Sequence, residues 1–290
     1  MAWAKTISLL NMKGGVGKTA LAVNLAWFLC RSRCKRVLLV DLDPQFNASQ
    51  YLIEPEKWEQ HKREKGTVAD LLIEPYKSRL RIRKKKKTQS PIREYLYVRE
   101  SFTSGARLDV LPSELVLAKA IKNPQGVEYK LEKGLTLIRD RYDYIIIDCA
   151  PTDSVLTDTA LMASDYILIP VKPDRFSVIG YGLMQETLDE FRGSYPDPHS
   201  VRDLGVVFTQ VRKGSSPNED EYMENIEEKA EYVFSARIRW SQSYSRSVHE
   251  KTPIFSTSHA RWATKEQIST LVKEMEQRIQ DLAYDKDRES

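Results

Sequence analysis

N-M-K-G-G-V-G-K-T, residues 11–19, follows a short apolar run at residues 7–10 and precedes an apolar, helix-compatible stretch at residues 20–29. A glycine-rich loop between a strand and a helix is a phosphate cradle: its backbone N–H groups surround anionic oxygens, and the first helical turn presents the positive end of the helix dipole. Here Gly14, Gly15, Val16, Gly17 and Ala20 supply backbone, Lys18 can reach terminal phosphates, and the Thr19 hydroxyl can ligate Mg²⁺. The loop departs from the ordinary G-x-x-x-x-G-K-[ST] form. Its first glycine would fall at position 12, which is Met12, and a further lysine, Lys13, stands inside it. A cation there can offset charge on a transferring phosphoryl group, in its own site or in that of a second molecule, as an arginine finger does. The pattern points to nucleoside triphosphate chemistry.

Outward from the loop, apolar runs predict strands at residues 7–10, 36–40, 108–111, 144–147, 166–171 and 204–209. Helices are predicted at 19–31, 116–121, 128–139, 157–162, 180–192, 219–232 and 265–284. Strands dense in Val, Ile and Leu, separated by helices, imply an α/β fold: a mostly parallel sheet flanked by helices on both faces. Ligands of such sheets lie beyond the carboxyl ends of the strands. Two acidic clusters fall at such ends. D-L-D-P-Q-F-N, residues 41–47, offers Asp41 and Asp43, one able to pair with the loop lysine or the Mg²⁺ ligands while the other orients a water. Asp148 ends the run I-I-I-D, where a carboxylate can ligate Mg²⁺ beside the loop threonine. Alone, Asp148 would equally suit the cap of a following helix; beside the glycine loop it is assigned to catalysis.

The chain of 290 residues suffices for one large α/β unit over residues 1–290, with a basic insertion near 77–107 and a C-terminal helix near 265–284. Cys30, Cys34 and Cys149 lack metal-ligand spacing and fit reduced thiols in a cytoplasmic protein. No stretch approaches eighteen uninterrupted apolar residues, so neither a membrane span nor a signal peptide is expected.

K-G-G-V-G-K-T (13–19), V-L-L-V-D-L-D-P-Q-F-N-A-S (37–49), Y-D-Y-I-I-I-D-C-A-P (142–151) and I-L-I-P-V-K-P (167–173) together resemble the deviant Walker ATPases of the ParA/MinD group, and within it the small partition ATPases. The resemblance runs over about residues 5–272 and weakens after Thr209. It implies an ATPase using ATP and Mg²⁺, in which Lys13 reaches nucleotide bound by the partner subunit, Lys18 binds phosphate, Thr19 ligates Mg²⁺, Asp43 orients the attacking water and Asp148 is the Walker B acid. It implies an ATP-dependent sandwich homodimer that binds double-stranded DNA without sequence preference at the nucleoid. It further implies a cargo adaptor protein that stimulates hydrolysis. Thr209 is expected near the base. An Ile-Pro-Arg run lining the adenine pocket in relatives reads Ile238, Arg239, Trp240 here, so base contacts differ.

Residues 77–87, K-S-R-L-R-I-R-K-K-K-K, carry eight basic side chains in eleven, although the whole chain is only +4. Concentrated charge of this kind suits a polyanion and makes binding fall with salt. Lys84, Lys85, Lys86 and Lys87 are therefore candidate DNA contacts, with a solubilising surface insertion as the alternative. Arg212, Lys213, Arg237, Arg239 and Arg246 are further candidates. The C-terminal segment sets Ile268, Leu271, Val272, Met275, Ile279 and Leu282 on one stripe beneath a mixed-charge face. That suits a packed helix better than the membrane-binding helix of septum-site relatives. A membrane-associated positioning ATPase and a metabolic P-loop enzyme, an amide ligase or an iron–sulfur reductase, are the competing classes.

Overall fold

In a computed structural model, residues 3–73, 91–195, 201–214, 217–257 and 262–289 are described. Eight strands form one sheet: β1 (Lys5–Leu9), β2 (Arg36–Leu42), β3 (Tyr97–Ser101), β4 (Arg107–Leu111), β5 (Tyr144–Cys149), β6 (Tyr166–Val171), β7 (Arg202–Val211) and β8 (Ile238–Arg239). Their order is β3-β4-β2-β5-β1-β6-β7-β8. Every pairing is parallel except β3 with β4, so the chain forms the mostly parallel sheet its apolar runs predict. The unpredicted strands are the outermost two. β3, Y-V-R-E-S, and the two-residue β8 lack the apolar density of strands buried on both faces. Within the span 77–107, residues 97–101 and 107 belong to the sheet, and residues 77–90 lie outside the described residues.

The helices are α1 (Lys18–Arg33), α2 (Asn47–Leu52), α3 (Pro55–Glu64), α4 (Val68–Leu72), α5 (Pro91–Glu94), α6 (Ala118–Lys122), α7 (Glu128–Thr136), α8 (Val155–Met162), α9 (Ser177–Ser194), α10 (Pro217–Glu227), α11 (Ser243–Glu250) and α12 (Trp262–Glu289). The short α2 and α4 escape prediction because a 3.6-residue period cannot repeat within six residues or fewer.

Strand alternation divides the core between the two faces. Val37, Leu39, Ile146 and Leu168 pack with α1, α2 and α12, whereas Leu38, Val40, Ile145, Ile147 and Ile169 pack with α4, α7, α8, α9 and α10. Helix α1 is buried at every position from 21 to 30 and has no polar stripe, as expected of a helix covered on all sides. The apolar stripe of α12 closes this face: Ile268, Leu271, Val272, Met275 and Ile279 are buried. Among the described residues no helix is long and apolar enough to cross a membrane.

Register brings the strand ends level, with Leu9 and Asp41 both opposite Asp148. At the other flank the register of β6 against β7 shifts between Ile167 and Leu168. Gly205 in this irregular segment has φ +120°, and a Cβ there would sit 2.4 Å from the Tyr232 carbonyl oxygen. Gly205→Ala should cost about 1–3 kcal/mol in backbone strain before the clash is counted. Thermal denaturation should show a Tm lowered by about 5 °C or more; an unchanged Tm would contradict the assigned backbone geometry.

Candidate functional site

The glycine loop is fixed from two sides. Asn11 Nδ2 donates to the Pro170 carbonyl at 2.8 Å while its Oδ1 accepts from Lys13 N at 2.8 Å, which ties the loop's start to β6. From β7, Thr209 Oγ1 donates to the Val16 carbonyl and Gln210 Nε2 to the Gly15 carbonyl, each at 2.6 Å. Gly15 and Gly17 have φ of +75° and +89°, a region that only glycine enters without strain. Gly17 caps α1 without any side-chain hydrogen bond, so the amides of the first turn keep the donors that a bound anion would use.

The two loop lysines point to different partners. Lys18 is buried, and its Nζ donates to the carbonyls of Asn11 at 2.8 Å and Lys13 at 3.0 Å. Burial lowers its pKa, against the opposing charges of Asp148 and Asp43. Lys13 instead ion-pairs with Asp174, just beyond β6, and its Nζ lies 5.7 Å from the centre of the Phe176 ring. Burial tends to raise the Asp174 pKa, but the Lys13 hydrogen bond, the Phe176 amide and the charges of Lys13 and Lys172 hold it below the ordinary carboxylate value. Among the described residues, then, Lys13 has a counter-ion on its own chain, outside the cradle.

The three predicted acids converge at the ends of β2 and β5 but differ in engagement. Asp41 is fully buried and accepts from Ser49 N at 2.8 Å, Ser49 Oγ at 2.6 Å and Asp43 N at 3.2 Å. Burial raises its pKa to about 7 despite those bonds. Its oxygens hold the turn through these bonds, which makes it an anchor for Asp43. Asp43 accepts from Gln45 N at 2.8 Å through Oδ1. Asp148 is fully buried, and neither of its carboxylate oxygens has a hydrogen-bond partner of standard geometry. Burial, then the charge of Asp41, push its pKa well above the ordinary value, against the nearby Thr19 hydroxyl and Lys18.

An orphaned buried carboxylate near a hydroxyl of the first helical turn suits Mg²⁺, which retains waters and takes one or two carboxylates together with phosphate oxygens. Among the described residues no cluster of three or more His, Cys, Asp or Glu could hold a metal unaided. The donor set therefore fits an ion whose remaining shell is water and phosphate.

Other predicted residues lie apart. Arg212 and Lys213 follow β7, Arg239 is on β8 and Arg246 on α11, all exposed; Arg237 pairs with Glu227 at 3.4 Å. Lys84, Lys85, Lys86 and Lys87 lie outside the described residues. Sequence reasoning missed Asp174 and Gln210. Asp174 carried a usable signal, an acid directly after the predicted 166–171 strand, whereas nothing local marks Gln210, whose role comes from the approach of β7 to the loop.

A family model described as an AAA domain (AAA_31) matches residues 4–197. The uncharacterized protein MJECL24 of Methanocaldococcus jannaschii is 35% identical over 212 residues, 72% of this chain and 74% of that protein. The chain spans about half (53%) of two mycobacterial relatives. The virulence plasmid ParA family protein pGP5-D of Chlamydia psittaci is 27% identical over 279 residues, 95% of both chains. Among solved structures, a Cyanothece McdA variant in complex with ATP shares the fold with a TM-score of 0.75 at 20% identity, over 95% of this chain and 97% of that one.

Because its folded pKa is raised, Asp148 contributes stability that is complete below the unfolded carboxylate pKa of about 4 and is lost as pH climbs through the folded value. Asp148→Asn removes that loss. The nucleotide-free variant should melt above the parent at pH 8, with a smaller gain at pH 5.5. An equal or lower Tm at pH 8 would contradict an unpartnered buried carboxylate.

Proposed function

This chain belongs to the ParA/MinD family of deviant Walker ATPases, and we propose that it is an ATP hydrolase whose ATP-bound dimer holds DNA without sequence preference and positions a plasmid, a chromosome region or a protein cargo. The observation that carries this proposal is the pairing of a donor-lined loop, whose helix start carries no side-chain cap, with the buried Asp148 carboxylate, whose oxygens have no hydrogen bond of standard geometry. Together they form a site for an anion and a hydrated cation.

In this assignment the loop amides and Lys18 bind the β- and γ-phosphates, and Thr19 with Asp148 would hold Mg²⁺, Asp43 standing close by. When bound, Mg²⁺ supplies positive charge across the phosphate oxygens. Asp43 accepts a hydrogen bond from the attacking water, which enters in line with the γ-phosphorus as ADP leaves. Asp41 keeps the turn of Asp43 in place through Ser49. Lys13 serves a second copy of the chain. Its outward position on Asp174, beside exposed Phe176 (63%) and Ile179 (64%), favours an interface there. Lys84 to Lys87, Arg212, Lys213, Arg237, Arg239 and Arg246 are the proposed phosphate contacts for DNA, and an adaptor protein is the proposed stimulator of hydrolysis at the nucleoid.

Binding of the full chain to a nonspecific duplex, measured over a range of salt with ATP, with ADP and without nucleotide, tests the switch. Binding should appear only with ATP and weaken steeply with salt; equal binding in all three states, or none in any, would contradict it. Asp43→Ala should keep ATP-dependent DNA binding while turnover falls about 100-fold or more. A folded variant that loses DNA binding with ATP would remove Asp43 from the water-positioning role.

A further inference from the structure

One bulky side chain beside the acids stands on a left-handed backbone. Phe46 has φ +46° at the start of α2, three residues after Asp43. Cys34 and Lys251 share that conformation at the ends of α1 and α11, where helices commonly close with a left-handed residue. Phe46 has no such excuse, and a bulky residue at positive φ is an outlier that its surroundings must hold in place. Two hydrogen bonds close the turn between Asp43 and Phe46. Phe46 N donates to the Asp43 carbonyl at 2.9 Å, and Gln45 N donates to Asp43 Oδ1 at 2.8 Å. The backbone at Phe46 and the aim of the Asp43 carboxylate are therefore set together.

Trp58, on α3, supplies the hold. Its ring stacks on that of Phe46, with centroids 4.9 Å apart and planes inclined by 4°. Trp58 is fixed in turn: its Nε1 donates to the Ser113 carbonyl at 3.2 Å, and Lys62 Nζ lies 4.2 Å from the ring centre. Ser113 N also donates to Ser49 Oγ, which donates to Asp41. One residue beyond β4 thus anchors both Asp41 and Trp58, and the turn that carries Asp43 is gripped at its two ends. Both stacked rings are half-buried, so the contact sits at the rim of the core, where its loss should leave the fold intact.

We propose that Trp58 is a positioning residue for hydrolysis: stacked on Phe46, it keeps the end of the turn left-handed and so keeps the Asp43 carboxylate aimed at the attacking water. The inference rests on the water-positioning role of Asp43 given above. A small displacement of a group that orients the nucleophile is costly to turnover, whereas the loop amides and Lys18, which bind the phosphates, belong to another element.

Steady-state ATP hydrolysis and calorimetric binding of Mg²⁺–ATP by the full chain test this, for the parent, Trp58→Ala, Trp58→Phe, Trp58→Ala combined with Phe46→Gly, and Asp43→Ala. Trp58→Ala should lower kcat about tenfold to a hundredfold with ATP affinity unchanged, which also establishes that the variant is folded. Trp58→Phe should keep most of the turnover, since it retains a ring to stack on. Adding Phe46→Gly to Trp58→Ala should restore part of kcat, because glycine takes φ +46° without a partner. The proposal is overturned if Trp58→Ala turns over as the parent does, if its loss lies in ATP affinity rather than kcat, or if adding Phe46→Gly restores nothing. Asp43→Ala separates the two levels. If it hydrolyses ATP as fast as the parent, the water-positioning role falls and this inference with it; a slow Asp43→Ala beside an unaffected Trp58→Ala overturns the role of the stack alone.

Discussion

Helix α1 cannot move without breaking both the sheet packing and the C-terminal helix, and the site depends on that immobility. Residues 21–30 are buried without interruption, against the sheet on one side and against α2 and α12 on others. Asn24, inside this helix, donates to the Ala20 carbonyl at 2.8 Å and accepts from Ile254 N at 2.8 Å, fastening α1 to the segment before α12. The amides at its N-terminus are therefore held in place before any anion arrives. Donors fixed in advance need little reorganisation when charge develops, which is how a preorganised site lowers a barrier. The fixation of the loop from β6 through Asn11 and from β7 through Thr209 and Gln210 serves the same end.

A second network links the acids to the rest of the fold. Asp41 takes both the backbone and the hydroxyl hydrogen bonds of Ser49, and Ser49 Oγ accepts from Ser113 N at 2.9 Å just beyond β4. The turn bearing Asp43 is thus tied to a neighbouring strand. The cost is charge: Asp41 and Asp148 face each other in register, both fully buried, with Lys18 as the nearby cation. Without a ligand the raised carboxyl pKa values ease this repulsion by favouring protons. A divalent cation would replace the proton and strengthen the acidic end of the cradle. Binding of metal and phosphate is then coupled through one cluster of charges, each ligand offsetting what the other introduces.

How far the sequence revealed this arrangement depends on the range of the interaction concerned. The six central strands were legible because strands buried on both faces are dense in branched apolar residues, and the loop was legible because its chemistry lies within nine consecutive residues. Asp43 and Asp148 were legible from their places at strand ends. Asp41 was visible as an acid, but its anchoring task was hidden, since it depends on Ser49 eight residues away. The Lys13–Asp174 pair joins residues 161 apart, and the Thr209 and Gln210 contacts span more than 190. No local pattern encodes contacts at such separations; only the parallel sheet, by bringing the ends of β1, β6 and β7 side by side, creates them. β3 and β8 were illegible for a different reason, because marginal strands keep one edge unpaired and need little apolar density.

We propose that Lys13, paired with Asp174 in this chain, leaves it for a triphosphate held by a second copy, which would make assembly depend on the nucleotide. Light scattering on the eluting protein, without nucleotide, with ADP and with ATP, for the parent and for Lys13→Ala, tests it most directly. The parent should have the mass of one chain without nucleotide or with ADP and of two chains with ATP, whereas Lys13→Ala should stay at one chain in ATP while still binding it. A parent that keeps one mass in all three states, or a Lys13→Ala variant that dimerises with ATP as the parent does, would contradict it.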